Sequence, residues 1–272
     1  MPSLKKTVKS LFSLAGIGLS KPDSIEKLLK RNHELAEKLD KTEKSHRYYE
    51  LLKSFPRQQA PKILDFLEKS QAQFLQDIFV LSELSFKTGG FFVDFGATNG
   101  VNLSNSFLLE KEFGWNGILA EPARCWHEAL KKNRRASIET RCVWKETHST
   151  LTFNEVHNSD LSTISSYSES DRYSSERKNG QVYEVETVSL NDLLEKHQAP
   201  RKIDYLSIDT EGSEFDILKS FDFDKYSIQV ITCEHNYTAK REEIYKLLKS
   251  KGYVRKYPEL SEVDDWYVLE KN

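Results

Sequence analysis

The chain has little of several things that would narrow its function at once. Its 40 Lys and Arg stand against 42 Asp and Glu, a net charge of -2. No excess of one sign builds a field for nucleic acid, and no basic-aromatic RNA-binding motif accompanies the lysines, so nucleic acid is not an expected partner. Only three cysteines occur, Cys125, Cys142 and Cys233, with no metal-ligand spacing among them. That odd, sparse set fits buried thiols in a reducing compartment and an expected cytoplasmic location. No apolar run approaches the ~20 residues of a membrane span. There is no Gly-x-Gly-x-x-Gly fingerprint and no phosphate-loop lysine, which argues against a dinucleotide or nucleoside triphosphate as ligand. Internal repeats and low-complexity tracts are missing as well. What remains is a polar chain with 11% aromatic residues, too many for disorder and enough to build one large α/β domain with an appendage.

The most informative stretch is Phe91-Phe92-Val93-Asp94-Phe95-Gly96-Ala97-Thr98-Asn99-Gly100. An apolar run ends in an acid, and two glycines follow in a tight turn. This is how a strand delivers the chain to a ligand at the carboxyl edge of a parallel sheet. A turn that offers a carboxylate and no cation suits a ligand carrying ammonium and sulfonium groups, as S-adenosylmethionine does.

Around this turn, strands and helices alternate. Strand 91–95 leads to helix 102–113, strand 117–121 to helix 123–133, and a third strand covers 138–144. Residues 151–156 look extended, and 157–180 read as a long polar loop or lid. Strand 182–187 leads to helix 190–197, strand 203–209 to helix 214–219, and strand 228–234 to helix 240–250. Residues 253–257 and 265–270 read as a closing antiparallel pair. Repeated βα units predict a mostly parallel, Rossmann-like sheet with helices on both faces and a C-terminal antiparallel hairpin. Upstream, residues 62–86 read as one amphipathic helix. The expected division is a helical N-terminal extension, 1–60, and a catalytic domain of the class I methyltransferase type, 61–272.

The extension carries two patterns. Leu4, Val8, Leu11 and Phe12 share one helical face with Lys5, Lys6 and Lys9 beside it. That face suits either an anionic membrane surface, here the inner face of a bacterial membrane, or packing on its own domain. Ile25, Leu28, Asn32, Leu35 and Leu39 follow heptad spacing with a polar Asn at an inner position, which suits a helix hairpin or a homo-oligomer contact.

In open α/β sheets ligands bind beyond the carboxyl ends of the strands. The residues there are Asp94, Glu121, Asp209 with Glu211, and Glu234 with His235 and Asn236. Glu121, just before Pro122, sits where an acid can accept both ribose hydroxyls; it would equally cap helix 123–133. Glu214 reads as a first-turn acid that complements the helix dipole. Asp209 and Glu234, with His235 or Asn236, make a plausible hard-metal site for Mg²⁺ or Mn²⁺. The competing reading is metal-free, with His235 or a carboxylate as general base.

The chain resembles the FkbM-type S-adenosylmethionine-dependent methyltransferases over residues 73–269. The resemblance rests on Phe92-Val93-Asp94-Phe95-Gly96-Ala97-x-x-Gly100, on Gly114-Trp115-Asn116-Gly117-Ile118-Leu119-Ala120-Glu121-Pro122, and on Ile203-Asp204-Tyr205-Leu206-Ser207-Ile208-Asp209-Thr210-Glu211-Gly212-Ser213-Glu214. Glu234-His235-Asn236 and Asp264-Asp265-Trp266-Tyr267-Val268 complete it. It implies S-adenosylmethionine as donor, with Asp94, Gly96, Ala97, Asn99 and Gly100 at its methionyl end and Glu121 and Pro122 at the ribose. It places Asp209, Glu211, Glu234 and His235 on the acceptor side. Asp94 stands where the family often has Glu, and Asn99 where Asp is commoner. The implied activity is O-methylation of a hydroxyl on a glycan or small molecule, such as a surface polysaccharide or lipid-linked sugar. N-methylation and a scaffold without turnover are the alternatives.

Overall fold

The computed structural model describes residues 22–270. The face built on Leu4, Val8, Leu11 and Phe12 lies outside the described residues. The chain divides between Leu51 and Leu52 into two units. Helix α1 (Pro22–Ser54) supplies the described part of the first. Within it the side chains of Ile25 and Leu28 are also outside the described residues, while Asn32, Leu35 and Leu39 are exposed.

The second unit is built on a seven-stranded sheet. Its parallel strands are β1 (Phe91–Phe95), β2 (Asn116–Ala120), β3 (Ser137–Glu139), β8 (Lys202–Ile208) and β9 (Ser227–Glu234). Strands β10 (Tyr253–Lys256) and β11 (Asp264–Leu269) add an antiparallel edge, giving the order β10-β11-β9-β8-β1-β2-β3. Parallel strands covered on both faces are buried along their length, and β1, β2 and β8 are each buried at every position but the first. On one face Val93, Phe95, Ile118, Leu206 and Ile231 pack under helices α6 (Leu190–Lys196), α7 (Glu214–Ser220) and α8 (Lys240–Ser250). Elsewhere Phe79 of helix α3 (Gln76–Glu83) stacks on Trp266, ring centroids 4.7 Å apart.

Four sequence expectations are corrected. Residues 62–86 are two helices, α2 (Ala60–Leu67) and α3. Between them polar side chains take over the backbone's partners: Gln76 Oε1 accepts from Phe74 N–H, and Asp77 Oδ1 accepts from Ser70 Oγ and Ile78 N–H. The helix expected from 102 begins only at Phe107, as α4 (Phe107–Phe113), because Asn99 Oδ1 holds the N–H groups of Val101 and Asn102 in a turn. The strand expected over 138–144 is cut in two. Arg141 folds back on Glu139 through its own N–H and its guanidinium, and the chain leaves the main sheet there.

The fourth correction is the largest. Strand 182–187 is β7 (Gln181–Ser189), and it does not enter the main sheet. It pairs parallel with β4 (Cys142–Trp144) and antiparallel with β5 (Thr150–Glu155), which pairs with β6 (Thr163–Ile164), making a separate four-stranded sheet. That sheet has its own core of Ala123, Cys142, Trp144, Phe153, Ile164 and Val185. The polar segment 157–180 is folded against it in short 3₁₀ turns.

Arg134, at the end of helix α5 (His127–Asn133), ties the glycine turn to the helices. Its side chain is inaccessible to solvent and donates to Glu110 Oε2 (3.0 Å), Gly100 O (3.0 Å), Ser104 Oγ (3.1 Å) and Ser106 Oγ (3.0 Å). Arg134→Ala is expected to cost about 3–5 kcal/mol in urea denaturation, since it leaves these acceptors buried without a donor. Arg134→Lys is expected to recover only part, because an ammonium does not reproduce the planar fork.

Candidate active site

Three turns beyond the carboxyl ends of β1, β2 and β8 are stitched together by backbone. Gly96 and Ala97 donate their N–H groups to Ala120 O, and Thr98 N–H donates to Glu121 Oε2 at 2.8 Å. Gly96 has φ +74°, and a Cβ there would lie 2.1 Å from Asp209 O. No other residue type lets the β1 and β8 turns approach so closely. The turns open on a cavity of about 280 Å³, close to the lower end of small-molecule sites.

Asp94, Gly96, Ala97, Glu121 and Pro122 all line this cavity. Asp94 is buried, and its Oδ2 accepts from Ser106 Oγ at 2.5 Å. Glu121 accepts from Thr98 N–H on one oxygen and from Ala123 N–H on the other, so it does cap the turn before helix α5 while facing the cavity. Burial pushes its carboxyl up to about 7. Asn99 and Gly100, expected at the methionyl end, do not line the cavity. Asn99 is spent on the turn already described. Gly100 (φ +77°) makes room for Arg134, whose Cγ would lie 2.6 Å from a Cβ at that position.

The second cluster follows β8 and β9. One oxygen each of Asp209, Glu211 and Glu234 lies within 4.8 Å of the others. Burial and neighbouring acids push all three carboxyls upward, Glu211 to about 8. Glu211 Oε2 is taken by Arg177 Nη2 (2.6 Å) and Asn236 Nδ2 (3.2 Å). Glu214 Oε1 accepts from the N–H groups of Thr210 and Gly212 and from Thr210 Oγ1, so it shapes this turn and leaves the chemistry to its neighbours.

His235 is the clearest correction. Its Nδ1 accepts from Tyr237 N–H (3.0 Å), which fixes Nε2 as the protonated nitrogen, and Nε2 donates to Asp264 O (3.0 Å). Both ring nitrogens are committed to backbone, and burial lowers the imidazole to about 4. His235 lines not the first cavity but a neighbouring one, beside Glu234 and Asn236, and presents no free nitrogen to it. It is therefore neither the general base nor a metal ligand but a brace for the turn after β9. Asn236, beside it, takes the place expected of it: it lines the cavity, is 8% exposed, and its Oδ1 has no hydrogen-bond partner.

Several lining residues carry no signal in the sequence, among them Cys142, Val143, Phe153 and Ile164. They form an apolar wall that comes from the second sheet. Six acids line the cavity, Asp94, Glu121, Asp160, Asp209, Glu211 and Glu234, and no Lys, Arg or His does so among the described residues. Two buried oxygens facing the same region, Asn105 Oδ1 and Asn236 Oδ1, lack donors. An apolar slot and a ring of acceptors with no cation fit a ligand with an aromatic base, hydroxyls and positive charge, and repel a phosphate. S-adenosylmethionine has this composition.

Fold and site together define a Rossmann-like α/β methyltransferase. The family model described as the methyltransferase FkbM domain matches residues 94–255, more than half of the chain, and the chain belongs to that family. Membership implies S-adenosylmethionine as the methyl donor. Among solved structures, the chain is similar to a methyltransferase FkbM from Methylobacillus flagellatus, at 13% identity and a TM-score of 0.47 over 85% of this chain and 60% of that one. It is also similar to precorrin-6y C5,15-methyltransferase from Geobacter metallireducens, at 11% identity and a TM-score of 0.39 over 71% of this chain and 85% of that one. The chain thus spans 60% of the length of the FkbM structure. No curated protein matches the chain.

The buried acids make stability depend on pH. Burial raises Asp77, Glu121 and Asp264 each to about 7. At these three sites the folded chain holds protons that the unfolded chain has released, so their contribution to stability is fully present below the ordinary carboxylate range and is lost as pH rises through about 7, opposed in part by His235, which burial holds neutral. Denaturation free energies measured from pH 5 to 8 are expected to fall. Glu121→Gln should flatten that fall by on the order of 2–3 kcal/mol.

Proposed function

We propose that this protein transfers a methyl group from S-adenosylmethionine to a hydroxyl oxygen of a sugar, in a surface polysaccharide or lipid-linked glycan, with a divalent cation assisting. One observation carries the reading. A second cavity of about 260 Å³, lined by Tyr167, Ser170, Asp171, Thr238 and Lys240 among others, shares Glu234 and Asn236 with the first. Displacement at a methyl carbon needs the incoming oxygen and the departing sulfur on opposite sides. Two cavities that meet at one wall of acids supply two such sides. Most residues of the second cavity carry hydroxyl, amide or charged groups set among apolar surface, which suits a sugar with its hydroxyls and its apolar ring face.

When bound, S-adenosylmethionine supplies an electrophilic methyl group on a sulfonium. Asp94 and Asn105 offer acceptors to its ammonium, and Glu121 to its ribose. A sugar hydroxyl is a weak nucleophile at neutral pH, and its proton must go to a group near it. Burial and neighbouring acids raise Glu234, so its carboxyl holds a proton until positive charge enters the site; beside the sulfonium and the divalent cation it would ionise, and the carboxylate, on the wall shared by both cavities, would then take the hydroxyl's proton. Mg²⁺ or Mn²⁺ would be held by Asp209, the free oxygen of Glu211, Glu234 and Asn236 Oδ1, a set of hard oxygens. There it would lower the hydroxyl's pKa. This set keeps Asp209 and Glu234 with the Asn236 alternative, adds Glu211 and leaves out His235.

Calorimetric titration with S-adenosylmethionine tests the donor half. Wild type is expected to bind, and Asp94→Ala to bind at least ~10-fold more weakly, the loss of about one charged hydrogen bond. No binding by wild type would overturn the reading. For the acceptor half, transfer of radiolabelled methyl to glycan fractions is expected to fall ~10²–10⁴-fold in Glu234→Gln, with donor affinity kept. Full turnover by Asp209→Ala, with unchanged response to Mn²⁺, would remove the cation from the mechanism.

A further inference from the structure

Helix α1 carries a second, independent signal. Its heptad places Ile25, Asn32, Leu39 and His46 at one inner position and Leu28, Leu35, Thr42 and Tyr49 at the other. Leu35 is 53% and Leu39 59% exposed, and Leu29, at a flanking position, is 44% exposed. The described side chains between Leu29 and Leu39 are all exposed, so this stretch buries nothing there that would hold it helical in water. An exposed leucine seam on such a helix needs a cover.

The residues beside the seam say which cover. Arg31 and Lys38 occupy the position before one inner residue, and Glu43 the position after the other. In a parallel, in-register pair of α1 helices, Lys38 of one chain meets Glu43 of the next. In an antiparallel pair, Arg31 and Lys38 would face one another across the seam, and Glu43 would face acid. Asn32 points the same way: an Asn at that inner position costs stability but pairs with its own copy in a parallel two-stranded coil and fixes the register. We propose that α1 is a dimerisation stem, a parallel, in-register, two-stranded coiled coil with a second copy of this chain.

Sedimentation equilibrium of the full chain at 1–100 μM tests this. The expected species is twice 31.6 kDa. Changing Leu35→Glu and Leu39→Glu together should give a monomer whose S-adenosylmethionine affinity and near-ultraviolet circular dichroism are unchanged. Lys38→Glu should weaken the dimer, and adding Glu43→Lys should restore it. For orientation, Asn32→Cys and His46→Cys are tested singly, with the exposed Cys125 replaced by Ser. Both are expected to crosslink to their own copies on oxidation. An antiparallel pair cannot self-oppose two sites 14 residues, ~21 Å, apart. A wild type that stays monomeric, an oligomer that survives the leucine changes, or crosslinking at fewer than both sites would overturn the proposal.

Discussion

Negative charge gathers where the sheet ends, and two buried guanidiniums answer it. Arg134 reaches Asp94 through Ser106, which takes a hydrogen bond from Arg134 Nη2 and gives one to Asp94 Oδ2. Arg177 reaches Glu211 directly, while holding both oxygens of Asp171 and Leu161 O. Neither cation lines the cavity, so each stabilises a carboxylate from behind and leaves its cavity face unneutralised. This arrangement makes the site a receptor for positive charge. With no cation in the cavity, protons do that work, which is why the strand-end carboxyls lie above their ordinary range.

The same constraint explains the backbone. Thr98, Glu211, Asn236 and Tyr237, at the tips of β1, β8 and β9, all have positive φ. A side chain in the left-handed region costs about 1–3 kcal/mol and persists only where its surroundings over-determine it. Here they do. Thr98 is held by Glu121, Asn236 by Glu211, and Tyr237 by His235. The large apolar core beneath the strands supplies the stability these tips consume, and the tips in turn aim Asp209, Glu211 and Glu234 at one point.

Much of this was legible in the sequence because strand ends are local. An apolar run, an acid and a glycine are neighbours in the chain, so Asp94, Glu121, Asp209 and Glu234 could be found without a structure. What was illegible is long-range. Strand β7 reads like any core strand, and nothing in residues 181–189 says that its partners are β4 and β5. The apolar wall from Cys142, Val143, Phe153 and Ile164 was missed for that reason. His235 misled because residue type was read without its hydrogen bonds: the same imidazole is a base with a free nitrogen and a brace without one. The helix expected over 62–86 failed because Gln76 and Asp77, polar residues in an amphipathic pattern, bonded the backbone instead of facing water.

The second sheet also changes what segment 157–180 is for. Read alone it is an aperiodic polar loop. In place, Thr163 Oγ1 donates to Glu211 O, Tyr167 Oη to Asp216, and Arg177 to Glu211, so three separate bonds dock it on the β8 turn and the helix that follows. Its residues line both cavities, Leu161 and Tyr173 the first, Tyr167 and Asp171 the second. The first cavity is thus lined jointly by the tips of the main sheet and by this segment, which gives it seven residues from Asn158 to Tyr173. The second cavity takes only Tyr167, Ser170 and Asp171 from it and is otherwise lined by residues between 212 and 214 and between 234 and 243. A change in this segment therefore reaches both cavities at once. The strand-end acids are readable because each follows its own apolar run in the chain, whereas an aperiodic segment that lines both cavities carries no pattern that would announce it.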